Sequence, residues 1–559
     1  MSSKEPSENT ALLVPNSVDS TENDISLEQR FHEHNLSLPK APILISLWLG
    51  SFLVAIDGTI VANITNTIAA EFQESDKKQW IATSFLLTNT AFQCLYGKLS
   101  DISGRKPALL AAQFFFGLGC LLTCFARNVT EFSLARAVCG IGGGGISAMS
   151  SITVSDICTA KDRGMYQGYA NIVYGTGQLL GAPIGGFLIT RLGWKMIFAV
   201  QVPMIFICFC LAHRNVNIEL AHLKPANERY TLKNLSRLDI IGSGTLVMSI
   251  SGLLFLFSSN LNKLVVSVIT VLSFGLFVYN EKYWASERII PFELLRGNFG
   301  LTSLVTVLST FVMFGDMFRS PIYLQVVQDI SLAKSGIFIL FGSAACAGAS
   351  LITGSIMRHT KLELVRCSFL LVLAAVFLQL TGAVTTALLT KNLEPNQTHY
   401  ESEGYFSMLL KSKGFAWKFI YITSSVFSAF GYGCVLVSVL VSIVFTVPKS
   451  QQATLTGVFY LWRSIGSVLG ASVTLTTYDL SLNSKLWNYM KSQGLSETYP
   501  KLIRDSGYLR THFSGEKLAA LLEIYRDCFV WSFGPAIVSG ILSLALAFFL
   551  VRGFQPSRN

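Results

Sequence analysis

Five charged side chains stand where the chain is otherwise apolar. They are Asp57 in SFLVAIDGTIVANIT (51–65), Arg136 in LARAVCGIGGGG (134–145), Asp316 and Arg319 in FGDMFRSPIY (314–323), and Arg463 in GVFYLWRSIG (457–466). Placing such a residue at the centre of a membrane helix costs about 2.5–3.5 kcal/mol on insertion scales, so each is expected to pair or to bind something. Asp57 and Arg136 enter their helices from one side at comparable depth, with Asp57 about seven residues from its helix end. One chemistry is therefore a structural Asp57–Arg136 pair. The other is a carboxylate that binds a proton or a cation, because desolvation favours the neutral acid and a nearby guanidinium the ionised one. The favoured reading combines them: protonation of Asp57 loosens the pair. Asp316 and Arg319 are three apart on one helix face and can neutralise each other, yet Asp316 also suits a cationic group. Arg463, beside Tyr460 and Trp462, either meets a ligand carboxylate or pairs with a carboxylate from another helix.

The elements that position these residues are membrane helices. Of 559 residues 51% are hydrophobic and only 14% charged, too apolar for a soluble chain of this length. Fourteen runs recur at a spacing suited to a hydrocarbon layer of about 30 Å. They lie near residues 41–63, 80–98, 108–126, 132–157, 165–190, 195–213, 239–259, 264–283, 299–324, 335–357, 366–389, 417–447, 454–477 and 529–551. The fold class is all-α, embedded in a lipid bilayer. Basic residues including Arg105, Lys106, Arg163, Arg214, Arg229, Arg296, Arg358 and Arg366 fall in alternate loops, which places both termini in the cytosol. The net charge of +10 is thus topological, with no basic patch for nucleic acid. The cysteines lie in helices without paired loop spacing, so neither a disulfide framework nor a metal site is expected. GIGGGG follows no strand, which excludes a dinucleotide loop. No nucleophile motif or phosphate loop points to an enzyme, and no secretory signal precedes the first run near Ala41.

An internal repeat organises the runs. Gly168, Gly177 and Gly181 in the fifth are spaced nine and four apart, as are Gly457, Gly466 and Gly470 in the thirteenth. GKLSDISGRKP (97–107), after the second run, is echoed after the tenth by GSIMRHTKLELVR (354–366), where the small residue and basic residues survive but the acid does not. Both offsets are eight helices, which predicts a 6+2+6 plan: bundles at 41–213 and 299–551, a cytosolic loop at 214–238 and two inserted helices at 239–283. Long loops on the luminal side are expected near 390–416 and 478–528, with terminal tails at 1–40 and 552–559. Parallel repeats of this kind belong to rocking transporters with a midplane site.

GKLSDISGRKP resembles the loop signature of the major facilitator superfamily. The resemblance implies a close helix contact at Gly97 and a charge network of Asp101, Gly104, Arg105 and Lys106 that gates rather than binds. LARAVCGIGGGG resembles the fourth-helix motif of that superfamily. The stretch Gly177, Gly181, Pro183, Gly185 and Gly186 is similar to its antiporter signature, with Ala182 where a Gly-Pro pair is usual. The first helix, through Asp57, Thr59, Val61 and Asn63, resembles the fourteen-helix drug:proton antiporter branch. Within it, stretches such as KKQWIATSFLLTNTAFQCLYGKLSDISGRK and SIVFTVPKSQQATLTGVFYLWRSIGSVLGAS look closest to the fungal vacuolar basic amino-acid transporters.

That resemblance implies antiport of Lys, Arg and His from cytosol into the vacuole against protons, with no cofactor beyond the proton gradient and a monomeric, multi-pass chain. A carboxylate at Arg463 would then be the substrate's α-carboxylate. The alternative is a plasma-membrane exporter of organic cations. In the polar tail, Glu8, Leu12 and Leu13 have the form of an acidic dileucine signal for a sorting adaptor, and Asn396 in Asn-Gln-Thr is a candidate glycosylation site on a luminal loop.

Overall fold

In a bilayer each backbone polar group must be satisfied within its own segment, and the chain responds with helices throughout. A computed structural model describes residues 30–31, 33–74, 79–220, 239–258, 262–284, 297–330, 332–395, 415–446, 449–495 and 508–553, with single positions at 223, 229, 231, 288 and 499. Among these residues there is no strand. The helices are α1 Lys40–Glu71, α2 Gln79–Ser103, α3 Arg105–Phe125, α4 Val129–Ile157, α5 Ala160–Leu192, α6 Trp194–Asn215, α7 Ile240–Ser258 and α8 Lys263–Tyr283. They continue as α9 Asn298–Val326, α10 Leu332–His359, α11 Leu364–Asn392, α12 Phe415–Thr446, α13 Lys449–Ser492, α14 Tyr508–His512, α15 Gly515–Ser532 and α16 Gly534–Gly553.

A helix stands at each of the fourteen expected runs, but among the described residues eleven stretches are long and apolar enough to cross a membrane. α2 and α5 are missing from that set and α7 contributes only a shorter apolar piece. For α2 the reason is polar side chains turned inward, with Asn89 and Gln93 lining an internal cavity; Gln167, Asn171 and Gln178 of α5 line the same cavity. Two expected boundaries are corrected. α1 runs on to Glu71 instead of ending near 63, because polar residues end an apolar run without ending a helix; Asp57 is therefore near mid-helix. α13 likewise continues to Ser492 where a loop was expected from 478.

Local signals set the ends. Asn128 caps α4 by accepting a hydrogen bond from the backbone N–H of Glu131, the expected use of an N-cap side chain. Gly104, between α2 and α3, has φ +100° and ψ 163°, a conformation open to glycine and strained for other residues. α1–α6 pack mainly among themselves, as do α9–α13 and α16, while α8 pairs with α7, which leans on α2 and α13. α8 turns Leu264, Val271, Leu272 and Leu276 outward, as a lipid-facing helix does.

The extended end of α13 packs with α15 against the end of α9. Tyr478, Leu482, Leu486, Met490, Leu518, Leu521, Leu522, Tyr525 and Phe529 form one cluster with Tyr323, Leu324 and Val327. Arg510 of α14 fastens it, with Nη2 donating to the carbonyls of Val326 (3.1 Å) and Val327 (3.2 Å) and Nε 3.3 Å from Asp329.

Candidate functional site

The glycine triplets fix how the two helix sets meet. A Cβ on Gly177 would lie 2.8 Å from the Phe52 carbonyl, and one on Gly181 would strike Thr59, so α5 seats directly on α1. Gly185 continues the stripe against Ile60. In the second set Gly466 and Gly470 press on Val307 and Phe311 of α9. The leading glycines cross between sets: Gly168 meets Leu351 of α10, and Gly457 meets Gln93 and Cys94 of α2. Small residues are what permit such backbone approach. Pro183 and Gly186 belong to α5, but their surroundings lie outside the described residues, as do Glu8, Leu12, Leu13 and Asn396.

The 97–107 segment closes one face. A Cβ on Gly97 would sit 2.9 Å from the Ala453 carbonyl of α13. Arg105 is buried and joins three groups: Nη1 reaches Asp101 (2.7 Å) and Ser100 (2.9 Å), and Nε reaches Asp156 (2.7 Å). Asp101 in turn accepts a hydrogen bond from Thr454 at 2.9 Å across the two sets. Lys106 donates to Asn217 at the surface. The echo does corresponding work, with Gly354 against Gly164 of α5 and Arg358 3.0 Å from Asp162. Every one of these crossings lies on the side of the cavity that faces the 97–107 segment.

Between the sets is a cavity of about 500 Å³. Hydrogen bonds near the closed face form its floor: Ser464 to Gln93 (2.9 Å), Asn171 to Ser350 (3.0 Å) and Gln167 to Tyr460 (3.4 Å). These amide residues carried no assignment from sequence, although the Asn89/Gln93 and Gln167/Asn171 pairs, each four apart in an otherwise membrane-compatible helix, were a readable sign of a polar stripe.

The charged residues fall into two groups. Asp57 and Arg136 are both fully buried, with Nη1 of Arg136 2.9 Å from Oδ1 and 2.8 Å from Oδ2. The guanidinium lies 4.4 Å from the Phe85 ring centre, and its Nε and Nη2 have no hydrogen-bond partner among the described residues. Arg136 reaches the cavity wall; Asp57 does not. Cys120 and Cys139 place their sulfurs near Asp57, but Arg136 is the cation of that cluster, with Nη1 also 3.6 Å from Cys139 Sγ.

Asp316, Tyr460 and Arg463 line the cavity. Asp316 pairs with Arg319 and accepts from Ser428 of α12 at 3.1 Å. Arg463 donates from Nε to the Tyr432 hydroxyl at 3.1 Å and lies 6.0 Å from the Tyr460 ring centre. Among the described residues no carboxylate lies within ion-pair distance of Arg463. Ser428 and Tyr432 are four apart on α12, so one turn, about 5–6 Å of rise, separates the anchor points of the cavity's acid and its base.

The chain matches the model of the Major Facilitator Superfamily over residues 47–471. It belongs to that superfamily. It is 57% identical to Vacuolar basic amino acid transporter 1 of Saccharomyces cerevisiae over 94% of this chain and 95% of that one. It is 32% identical to Multidrug resistance protein fnx1 of Schizosaccharomyces pombe, over 90% of each. Among solved structures, the human organic anion transporter MFSD10 superposes with a TM-score of 0.56 at 14% identity, covering 90% of this chain and 99% of that one, a likeness of fold. As a major facilitator protein the chain is a transporter rather than an enzyme.

Proposed function

We propose that this major facilitator protein is a proton-coupled antiporter that moves Lys, Arg and His from the cytosol into the vacuole. The observation that carries the reading is Arg463, a guanidinium in the cavity wall with a tyrosine hydroxyl but, among the described residues, no carboxylate beside it. An unmatched arginine calls for a ligand carboxylate, which every amino acid has and a simple organic cation lacks. Asp316, one α12 turn away, takes the side-chain ammonium, guanidinium or imidazolium, and the main chain and four-methylene arm of lysine cover that span. The high identity to a vacuolar basic amino acid transporter supports the same substrates and membrane.

In this reading both termini are cytosolic, the closed face is the cytosolic gate, and the cavity opens to the lumen, the state that releases substrate. The fourteen helices form two six-helix bundles with α7 and α8 between them. One chain encloses the whole cavity, which supports a monomer. Asp57 carries the proton: protonation cancels its charge and frees Arg136, whose unpartnered nitrogens then seek new acceptors. Moving one positive charge into a positive compartment costs about 2.3 kcal/mol per 100 mV, and a returning proton cancels that term. No cofactor beyond the gradient is needed, and the N-terminal tail directs sorting through an adaptor.

The test is ATP-driven uptake of radiolabelled lysine, arginine and histidine into isolated vacuolar vesicles with and without this protein, with a protonophore control. Protein-dependent uptake that collapses with the gradient is expected. Vesicles that contain the protein and show no such uptake would overturn the assignment and turn attention to organic cations at the plasma membrane.

A further inference from the structure

Arg319 is nearly inaccessible, yet it is shared three ways. One terminal nitrogen pairs with Asp316, the other donates to the carbonyl of Ser532 at 3.0 Å, and the guanidinium lies 3.4 Å from the Phe533 ring centre. Ser532 is the last residue of α15, so Arg319 also meets the negative end of that helix's dipole. That helix is the one packed with the far end of α13 against the end of α9. Asp316 therefore receives part of a guanidinium rather than a dedicated one, and keeps a hydrogen bond from Ser428 and an edge on the cavity.

We infer that Arg319 is a positioning residue for Asp316, held in place by the end of α15, that keeps the carboxylate ionised and aimed into the cavity without saturating it. This rests on the proposal that Asp316 receives the substrate's cationic side chain. A carboxyl at this depth with no cation beside it takes up a proton, and a protonated acid no longer attracts an ammonium. A fully devoted arginine would fill the place the substrate needs. Sharing Arg319 with the Ser532 carbonyl and the Phe533 ring answers both demands. It also gives the segment from 478 to 533 a part in substrate recognition, although none of α15 lines the cavity.

The elements packed around Asp316 carry other titratable or charged groups. These include Tyr323 on α9, Cys346 on α10, Lys391 on α11, Lys418, Tyr421 and Tyr432 on α12, Tyr460, Tyr478 and Asp479 on α13, Arg526 and Asp527 on α15, and Arg463 and Arg136 at the cavity wall. All are common to wild type and an Arg319 variant, as is Asp57, so a ratio of the two proteins' affinities cancels them. The experiment is lysine binding to the purified full-length protein in lipid nanodiscs from pH 7.5 to 5.5, by calorimetry, for wild type, Arg319→Gln, Arg319→Lys and Asp316→Asn. The amide of Arg319→Gln can still donate to Ser532. The ratio of its dissociation constant to that of wild type should grow as pH falls, approaching tenfold per unit below the carboxyl's titration point, whereas Arg319→Lys should hold a flat ratio.

A flat ratio for Arg319→Gln would overturn the inference and leave Arg319 a helix clip. Asp316→Asn binding lysine as wild type does would instead overturn the substrate role of Asp316. Should Arg319→Gln fail to fold, infrared difference spectra of wild type against Asp316→Asn at pH 5.5 decide the matter. The inference expects no protonated-carboxyl band from Asp316, and the presence of one refutes it.

Discussion

Arg358 and Asp162 pair at 3.0 Å across the closed face, four residues beyond Gly354, just as Asp101 stands four beyond Gly97 and reaches Thr454 on the other side. The two contacts occupy corresponding places with the sign of the α2/α10 member reversed. Arg358 and Asp162 are partly exposed, and a pair of that kind contributes about 0.2–1 kcal/mol. Arg358→Gln should therefore shift the balance between closed and open gate by no more than about fivefold, Arg358→Glu further because it sets two carboxylates together, with the exchange Asp162→Arg/Arg358→Glu restoring it. Labelling of a cysteine introduced on the floor, by an impermeant thiol reagent added from the gate side, reads that balance.

Glycine contacts at the same face are far less forgiving. A Cβ at Gly354 would fall 2.5 Å from the Gly164 carbonyl carbon and Met165 nitrogen, and one at Gly97 2.9 Å from the Ala453 carbonyl; backbone on the far side cannot turn away as a side chain can. Gly97→Val and Gly354→Val should each insert normally and lose exchange, trapped with the gate ajar. Uptake at wild-type rates by either would show that the face need not close this tightly.

Removing the Asp57 carboxylate leaves Arg136 buried with no counter-charge, a loss of about 3–5 kcal/mol for a broken buried pair. Asp57→Asn should lower thermal stability and abolish exchange. Asp57→Asn/Arg136→Gln should recover much of the stability and none of the exchange. Thermal unfolding followed by tryptophan fluorescence, with proteoliposome uptake, separates the two effects.

Arg463 offers the sharpest test of substrate class. Arg463→Met should weaken lysine binding by tenfold or more while leaving binding of cadaverine, which is lysine without its carboxylate, within about twofold of wild type; a lost charged hydrogen bond of about 1.5–3 kcal/mol sets that scale. Equal losses for both ligands would mean that Arg463 supports the cavity rather than reads the carboxylate. Calorimetric titration with each ligand provides the comparison.

Sequence exposed the fold through periodic apolar runs and the charged candidates through their improbability in lipid. It exposed less where burial and apolarity part company. Asn63, Asn66 and neighbouring threonines end the first apolar run, yet α1 continues to Glu71, so Asp57 was assigned too shallow a depth. The floor amides were visible as polar residues four apart, but their partners Ser350 and Ser464 are indistinguishable in sequence from the many serines that hydrogen-bond their own helix. Tyr432 and Ser428 belong to a readable stripe, Tyr421, Ser425, Ser428 and Tyr432 at helical spacing on α12, that the reading of charged residues alone passes over. Arg358 is legible as a surviving basic residue of the echo, but its partner Asp162 is not, because it lies on α5, far away in sequence.

The 44 residues of α13 form one unbroken helix, about 66 Å at 1.5 Å per residue. Its first turns meet Gly97 and, through Thr454, Asp101 at the gate, its middle carries Tyr460 and Arg463, and its far end is locked into the cluster with α15. Such a rod behaves as a lever with its load in the middle. A displacement imposed at the distant end, by an antibody fragment gripping the exposed Leu480 and Trp487 for example, has no flexible joint in which to dissipate before it reaches the gate. An inhibitor of this protein thus need not enter the cavity; it can act from outside by seizing the handle.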